Sequence, residues 1–282
     1  MRKAISIWAF PGDWPLERSA DLAQDAGFEG VELAYALEGP LGPECSASDL
    51  TQMRATFESR GLVIPSLATG VLWQINLLSS DADERQKAKA HVRTMLHQAR
   101  DLGAGCILVV PGFAGPFEAG APVVADYTAT YQRAVDDVRE LGQEAQRVDV
   151  QIGVENVWNR FLTGPMEMRQ FIDTVDSSHV GVYFDVGNVL RNGYPQHWIQ
   201  LLGERIRRVH FKDFRIAVGT LQGFVDLLEG DVDYPLVLSA LASVGYDGWV
   251  TGELFTREPY PEAVVYRASR DMDTILNGGI TC

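Results

Sequence analysis

Short apolar runs alternate with longer stretches of helical spacing from one end of the chain to the other. The runs cover residues 4–10, 30–34, 63–67, 106–110, 150–155, 180–185, 206–211 and 249–254. Turn residues bound each run, and CILVV, QIGV and VGVYF are unbroken apolar segments, the pattern of strands buried on both faces. Between them, residues 19–26, 47–60, 83–102, 125–147, 165–175, 235–244 and 262–276 place apolar side chains at helical spacing. Strands separated by helices pair in parallel through right-handed crossovers. Eight such units in 282 residues fit an α/β protein built as a single closed (β/α)₈ barrel, residues 1–282 forming one domain. An open, doubly wound sheet would carry a Gly-rich phosphate loop after its first strand; this chain has WAFPGDW there and no G-x-G-x-x-G or G-K-[ST]. The Gly/Pro-rich segments 38–43 and 111–122 are read as loops that follow strands, where a barrel places its lid or substrate wall.

Composition narrows the setting. With 46% hydrophobic residues the chain has enough apolar surface for a large core without disulfide staples. Cys45, Cys106 and Cys282 are odd in number and widely spaced, which suits free thiols in a reducing compartment. The opening MRKAISIWAF breaks at Pro11 and Gly12, too early for a signal peptide, and no run approaches the ~18 apolar residues of a membrane span. A cytoplasmic protein is expected. A formal charge of -14 repels phosphate backbones, so nucleic acid is not an expected partner.

In a (β/α)₈ barrel the last residues of each strand converge on one pocket. The fifth run ends at Glu155, the sixth at Asp185, the seventh carries His210, and the eighth carries Glu253. A carboxylate at the end of a buried strand is costly unless it is paired, hydrogen-bonded or metal-bound. Any one of these residues alone is more often a helix cap, half of an ion pair or a satisfied core histidine. Four at the same end of successive strands point instead to one divalent ion. Three oxygen donors with one imidazole suit Mn²⁺ best, with Mg²⁺, Co²⁺ or Zn²⁺ also compatible. Asn159, Arg160, Asn188, Lys212 and Arg215 follow these strands and are candidate substrate contacts, the cations being suited to an anionic group. Arg160 and Arg215 have the alternative of pairing with the abundant acids. Trp8 and Trp14 are candidates for an aromatic wall of the pocket.

Four segments carry a family likeness: GFEGVEL, VENVWNRFLTGP, FDVGNVLRNGYPQHWIQLL running on to RVHFKDFR, and GDVDYPLVLSALASVGYDGWVTGEL. Together they resemble the xylose-isomerase-like TIM barrels, which include sugar-phosphate isomerases and epimerases, hexulose 3-epimerases and endonuclease IV. The resemblance implies a Glu, Asp, His, Glu metal site at Glu155, Asp185, His210 and Glu253. It further implies that Glu155 and Glu253 act as acid and base on opposite faces of a sugar, through a cis-enediolate stabilised by the metal. Homo-oligomers, dimers or tetramers, are the family's expectation. Free-ketohexose 3-epimerases carry a further Glu after the fifth strand and a His three residues after the sixth-strand Asp. Here those neighbourhoods hold Phe161, Leu162 and Asn188, a form closer to the L-xylulose-5-phosphate 3-epimerase and hexulose-6-phosphate isomerase branch.

Endonuclease IV uses several additional histidines for a trinuclear zinc site. Of the five His here, only His210 lies at a strand end, which argues against a repair nuclease. Two alternatives to an epimerase or isomerase remain open: an inosose-dehydratase-like lyase, which begins with the same proton abstraction, and a non-catalytic metal-binding barrel acting as a partner subunit.

Overall fold

The fold was analysed in a computed structural model that describes residues 1–115 and 126–278. Eight parallel strands close into a barrel: β1 (Arg2–Ser6), β2 (Gly30–Tyr35), β3 (Leu67–Thr69), β4 (Cys106–Val109), β5 (Gln151–Glu155), β6 (Val180–Asp185), β7 (Ile206–Phe211) and β10 (Trp249–Gly252). β10 closes the ring between β7 and β1, and a two-stranded antiparallel ribbon, β8 (Asp213–Phe214) with β9 (Phe224–Val225), stands outside it. Helices α1 (Leu16–Asp25), α2 (Ala47–Glu58), α3 (Ala82–Leu102), α4 (Tyr127–Val148), α5 (Pro165–Val175), α6 (Val186–Val189), α7 (Pro195–Leu202), α8 (Tyr234–Ser243) and α9 (Pro261–Leu276) connect the strands. No described helix is long and apolar enough to cross a membrane.

Local chemistry sets the helix ends. Ser46 and Asp49 form a reciprocal capping box on α2, Asp81 caps α3, and Gly103 ends α3 in the left-handed region at φ 76°, which a residue without Cβ adopts freely. Pro165, Pro195 and Pro261 open α5, α7 and α9, where the missing N–H has no helical partner to lose.

Three features differ from the expectation drawn from the pattern. The first apolar run does not stay extended to residue 10: after Ser6 it winds into a 3₁₀ turn over Ile7–Ala9 with Ser6 as its cap, which swings Trp8 toward the mouth of the barrel. The third strand is registered later than residues 63–67. Pro65 has no N–H for the ladder, so Val63 makes an isolated bridge to Gly30 and regular pairing resumes at Leu67. The helix α7 and the β8–β9 ribbon lie in a region where no element was assigned between residues 185 and 235, apart from the seventh strand. Of the loop read at 111–122, residues 116–122 lie outside the described residues, as does Cys282; Cys45 and Cys106 are free thiols.

Gly153 on β5 connects the barrel wall to its interior. A Cβ there would meet Tyr183 Cβ at 2.8 Å, so the glycine makes room for the Tyr183 ring, which is fully buried. Gly153→Ala is expected to shift that ring and lower stability by about 1–3 kcal/mol, read as a fall in Tm of several degrees by calorimetry.

Candidate active site

Parallel pairing brings the four strand-end residues to one level. Asp185 on β6 is in register with His210 on β7, and His210 with Thr251 on β10, two residues before Glu253. Glu253 N–H still donates to Phe211 O at 3.0 Å, so the ladder holds its backbone just past the end of β10. Glu155 ends β5. One donor atom from each of Glu155, Asp185, His210 and Glu253 falls within 4.8 Å of the others, and all four residues are buried.

The strand ends are tied together by amides. Asn156 donates from Nδ2 to Asp185 O at 2.8 Å and accepts from Asp185 N–H at 2.9 Å. Asn188 N–H donates to Asp185 Oδ1 at 2.8 Å, and Asn188 Nδ2 reaches Glu155 Oε1 at 3.4 Å. Within this four-residue cluster two buried atoms are left without any hydrogen bond, Asp185 Oδ2 and His210 Nδ1. Glu253 Oε2 lies 3.4 Å and Glu155 Oε1 3.9 Å from that imidazole nitrogen, without hydrogen-bond geometry. Orphaned buried polar atoms carry a full desolvation cost, and an oxygen-rich donor set around one imidazole nitrogen fits a divalent cation. The residues present therefore fit such an ion.

Lys212 supplies a fixed cation beside them. Its Nζ donates to Glu253 Oε2 at 2.7 Å and stands 3.8 Å from Asp185 Oδ2. The Phe224 ring centroid is 4.6 Å from the ammonium. The two glutamates are electrostatically unlike as a result. Burial, reinforced by the charges of Glu253 and Asp185, holds the Glu155 carboxyl well above the ordinary range. Burial acts on Glu253 in the same sense, but Lys212 and His210 overcome it and bring this carboxyl well below the ordinary range. Asp185 is pushed up to about 7, chiefly by burial, with Lys212 opposing. Burial disfavours the charged forms of Lys212 and His210, yet the surrounding carboxylates raise both.

Above this cluster opens a cavity of about 460 Å³. Glu155, Asn188, Lys212 and Glu253 form its polar floor, and Trp8, Trp73, Trp158, Phe224 and Phe255 stand among its apolar walls. Trp158 Nε1 donates to Asn188 O at 2.8 Å, which fixes one wall to the floor. A smaller cavity of about 300 Å³ shares Val157 and Trp158 with it and carries Arg160 and Arg191.

The remaining sequence candidates are distributed unevenly. Asn188 and Lys212 line the main cavity, and Arg160 lines the side cavity. Asn159 faces the neighbouring loop instead, donating from Nδ2 to Gly112 O at 2.6 Å and accepting from Phe161 N–H at 3.0 Å. Arg215 is turned onto Glu229, donating from Nε to its carbonyl at 2.9 Å, and Trp14 lies beneath the Arg18 guanidinium, 3.5 Å from the ring centroid. Neither lines the main cavity. The sequence reading passed over Glu32 on β2, whose Oε1 is 2.9 Å from His210 Nε2. The available signal was a carboxylate in the middle of the apolar run GVELAY.

The chain belongs to the family of xylose isomerase-like TIM barrels, whose pattern it matches over residues 20–272. It is 27% identical over 265 residues to a putative L-ribulose-5-phosphate 3-epimerase, SgbU, of Escherichia coli K12, covering 90% of this chain and 89% of the relative. To an inosose dehydratase of Geobacillus thermodenitrificans it is 25% identical over 275 residues, covering 88% and 89% of the two chains. The fold is shared with a crystal structure of D-psicose 3-epimerase with D-tagatose from Clostridium cellulolyticum H10, with a TM-score of 0.81, 20% identity and coverage of 98% and 99%.

Proposed function

We propose that this protein is a divalent-metal-dependent sugar epimerase, acting at carbon 3 of a ketose or ketose phosphate. One observation carries the reading: Glu155 and Glu253 reach the floor of the same cavity from strands separated by β6 and β7. Inverting a carbon needs a base on one side and an acid on the other. Glu155 and Glu253 would fill these two roles, one taking the proton and the other returning it from the opposite side. Glu155, Asp185, His210 and Glu253 would hold the ion, Mn²⁺ being our first choice. When bound, it would supply charge stabilisation for the enediolate oxygens. Asn188 offers an amide at the floor, and Lys212 places an ammionium donor beside Glu253, positioned to hold a substrate hydroxyl. The aromatic walls exclude water from the carbanionic intermediate.

Uptake of solvent deuterium at the reacting carbon of a ketose or ketose phosphate by Mn²⁺-loaded protein is the test. Uptake with an inverted product supports the reading, and no uptake across such a panel overturns it. The relative among the inosose dehydratases supports one other reading. A lyase on a cyclic polyol ketone would use the same base, with a proton passed to the departing hydroxyl, and would yield water and an unsaturated product instead of an epimer.

Lys212 is already engaged by Glu253, so a substrate phosphate is better served by the side cavity with Arg160 and Arg191. Arg160→Ala is expected to raise KM for a ketose phosphate by about tenfold, the effect of one lost charge-assisted contact, and to leave KM for the unphosphorylated sugar unchanged. Equal changes for both sugars would remove the phosphate from that cavity.

A further inference from the structure

We infer that Glu32 is a positioning residue that fixes the ring of His210 so that Nδ1 is the nitrogen presented to the metal. This rests on the reading of the strand-end cluster as a metal centre, but not on the sugar chemistry assigned to it. Glu32 lies on β2 and is fully buried within the barrel. Its Oε1 is 2.9 Å from His210 Nε2. Its Oε2 accepts from Ser66 Oγ at 2.7 Å and from the Tyr183 hydroxyl, and those two hydroxyls lie 3.0 Å apart. The Tyr183 ring also packs on the imidazole, with centroids 4.5 Å apart. A buried polar network of this kind can serve only to specify a core. Two features point further. Among the described residues, the one charged or ionisable side chain in ion-pair contact with Glu32 is His210. The other nitrogen of that same ring, Nδ1, is a buried atom with no hydrogen bond, turned toward Glu155 and Glu253.

A carboxylate can only accept at Oε1, so Nε2 must carry a proton and donate it. Nδ1 would then be the nitrogen that offers a lone pair to the ion. The hydroxyls of Ser66 and Tyr183 hold the carboxylate in place, so ring rotation would break the contact from a fixed partner. The negative charge behind Nε2–H also strengthens Nδ1 as a donor, the usual effect of a carboxylate behind a metal-binding imidazole.

Zn²⁺, which is diamagnetic, serves as the probe, with affinity measured by competition calorimetry and the histidine ring nitrogens followed by ¹⁵N NMR. Glu32→Gln keeps the side-chain shape and removes the charge. It is expected to weaken Zn²⁺ binding by about 10–100-fold and to move the His210 Nε2 resonance of the zinc-loaded protein. Tyr183→Phe and Ser66→Ala leave the Oε1 contact in place; they are expected to lower the Tm of the metal-free protein but to change Zn²⁺ affinity by less than about tenfold. An unchanged Zn²⁺ affinity and unchanged ring-nitrogen resonances in Glu32→Gln would overturn the inference, as would a wild-type protein that takes up no Zn²⁺. Deuterium exchange is run on the same samples. Loss of Zn²⁺ affinity in Glu32→Gln with no sugar exchange by the wild type would sink the epimerase reading and leave this one standing.

Discussion

Glu155→Gln and Glu253→Gln are each expected to lower solvent-deuterium uptake into the substrate by about 10²–10⁴-fold, the usual loss when a positioned acid or base is removed. The two variants part company in stability. Glu253 is the hydrogen-bonded partner of the buried Lys212 ammonium and the nearest carboxylate to His210 Nδ1. Replacing it with an amide leaves buried positive charge uncompensated, and metal-free Glu253→Gln is expected to be less stable than wild type by about 3–5 kcal/mol, the usual loss on breaking a buried pair. Glu155 is in the opposite position, since burial and the charges of Glu253 and Asp185 already disfavour its ionised form. Metal-free Glu155→Gln is therefore expected to match or exceed the wild-type Tm. Chemical denaturation of both variants in chelator, beside the exchange assay, checks the pair. Equal stability losses would show that the two carboxyls do not differ in environment as the geometry requires.

Affinity for the proposed metal ion is expected to rise at least about tenfold per pH unit from pH 5 toward 7, because the ion would displace at least one proton held by these side chains. Asp185 sets the window. Its carboxyl is pushed from 3.8 up to about 7 in the fold, so the folded metal-free chain keeps a proton that the unfolded chain has released. The stability contributed by that proton is fully present below about pH 4 and is lost as pH rises through about 7. Glu155 and His210, both held protonated without the ion, steepen the dependence over the same range. Calorimetric titration with Mn²⁺ at several pH values, in buffers of different ionisation enthalpy, counts the protons released. A pH-independent affinity with no proton release would contradict this arrangement of ligands.

The barrel and its four strand-end residues were legible in the sequence for one physical reason. Parallel strands buried on both faces must be nearly all apolar, so a charged residue at the end of VENV, VGVYFD, RVHF or WVTGE stands out and its direction follows from the topology. Side-chain direction beyond the strand ends was not legible. Arg215 and Trp14 follow strands as Lys212 and Trp8 do, yet Arg215 folds back onto Glu229 and Trp14 is covered by Arg18, contacts that the strand pattern does not encode. Glu32 was passed over because it sits in mid-strand, where its partners arrive from β6, β7 and the segment before β3. Pro65 did mark the delayed third strand, but an apolar run outweighed it in the reading.

The ammonium of Lys212 has a consequence for how such a centre comes into being. Three acid side chains come together at the top of a closing barrel, and repulsion between their ionised forms opposes closure. A tethered positive charge that docks on Glu253 and faces Asp185 travels with the chain and is present at every encounter. The nascent barrel thus carries its own counterion, and a metal ion would join a site whose walls are already in place.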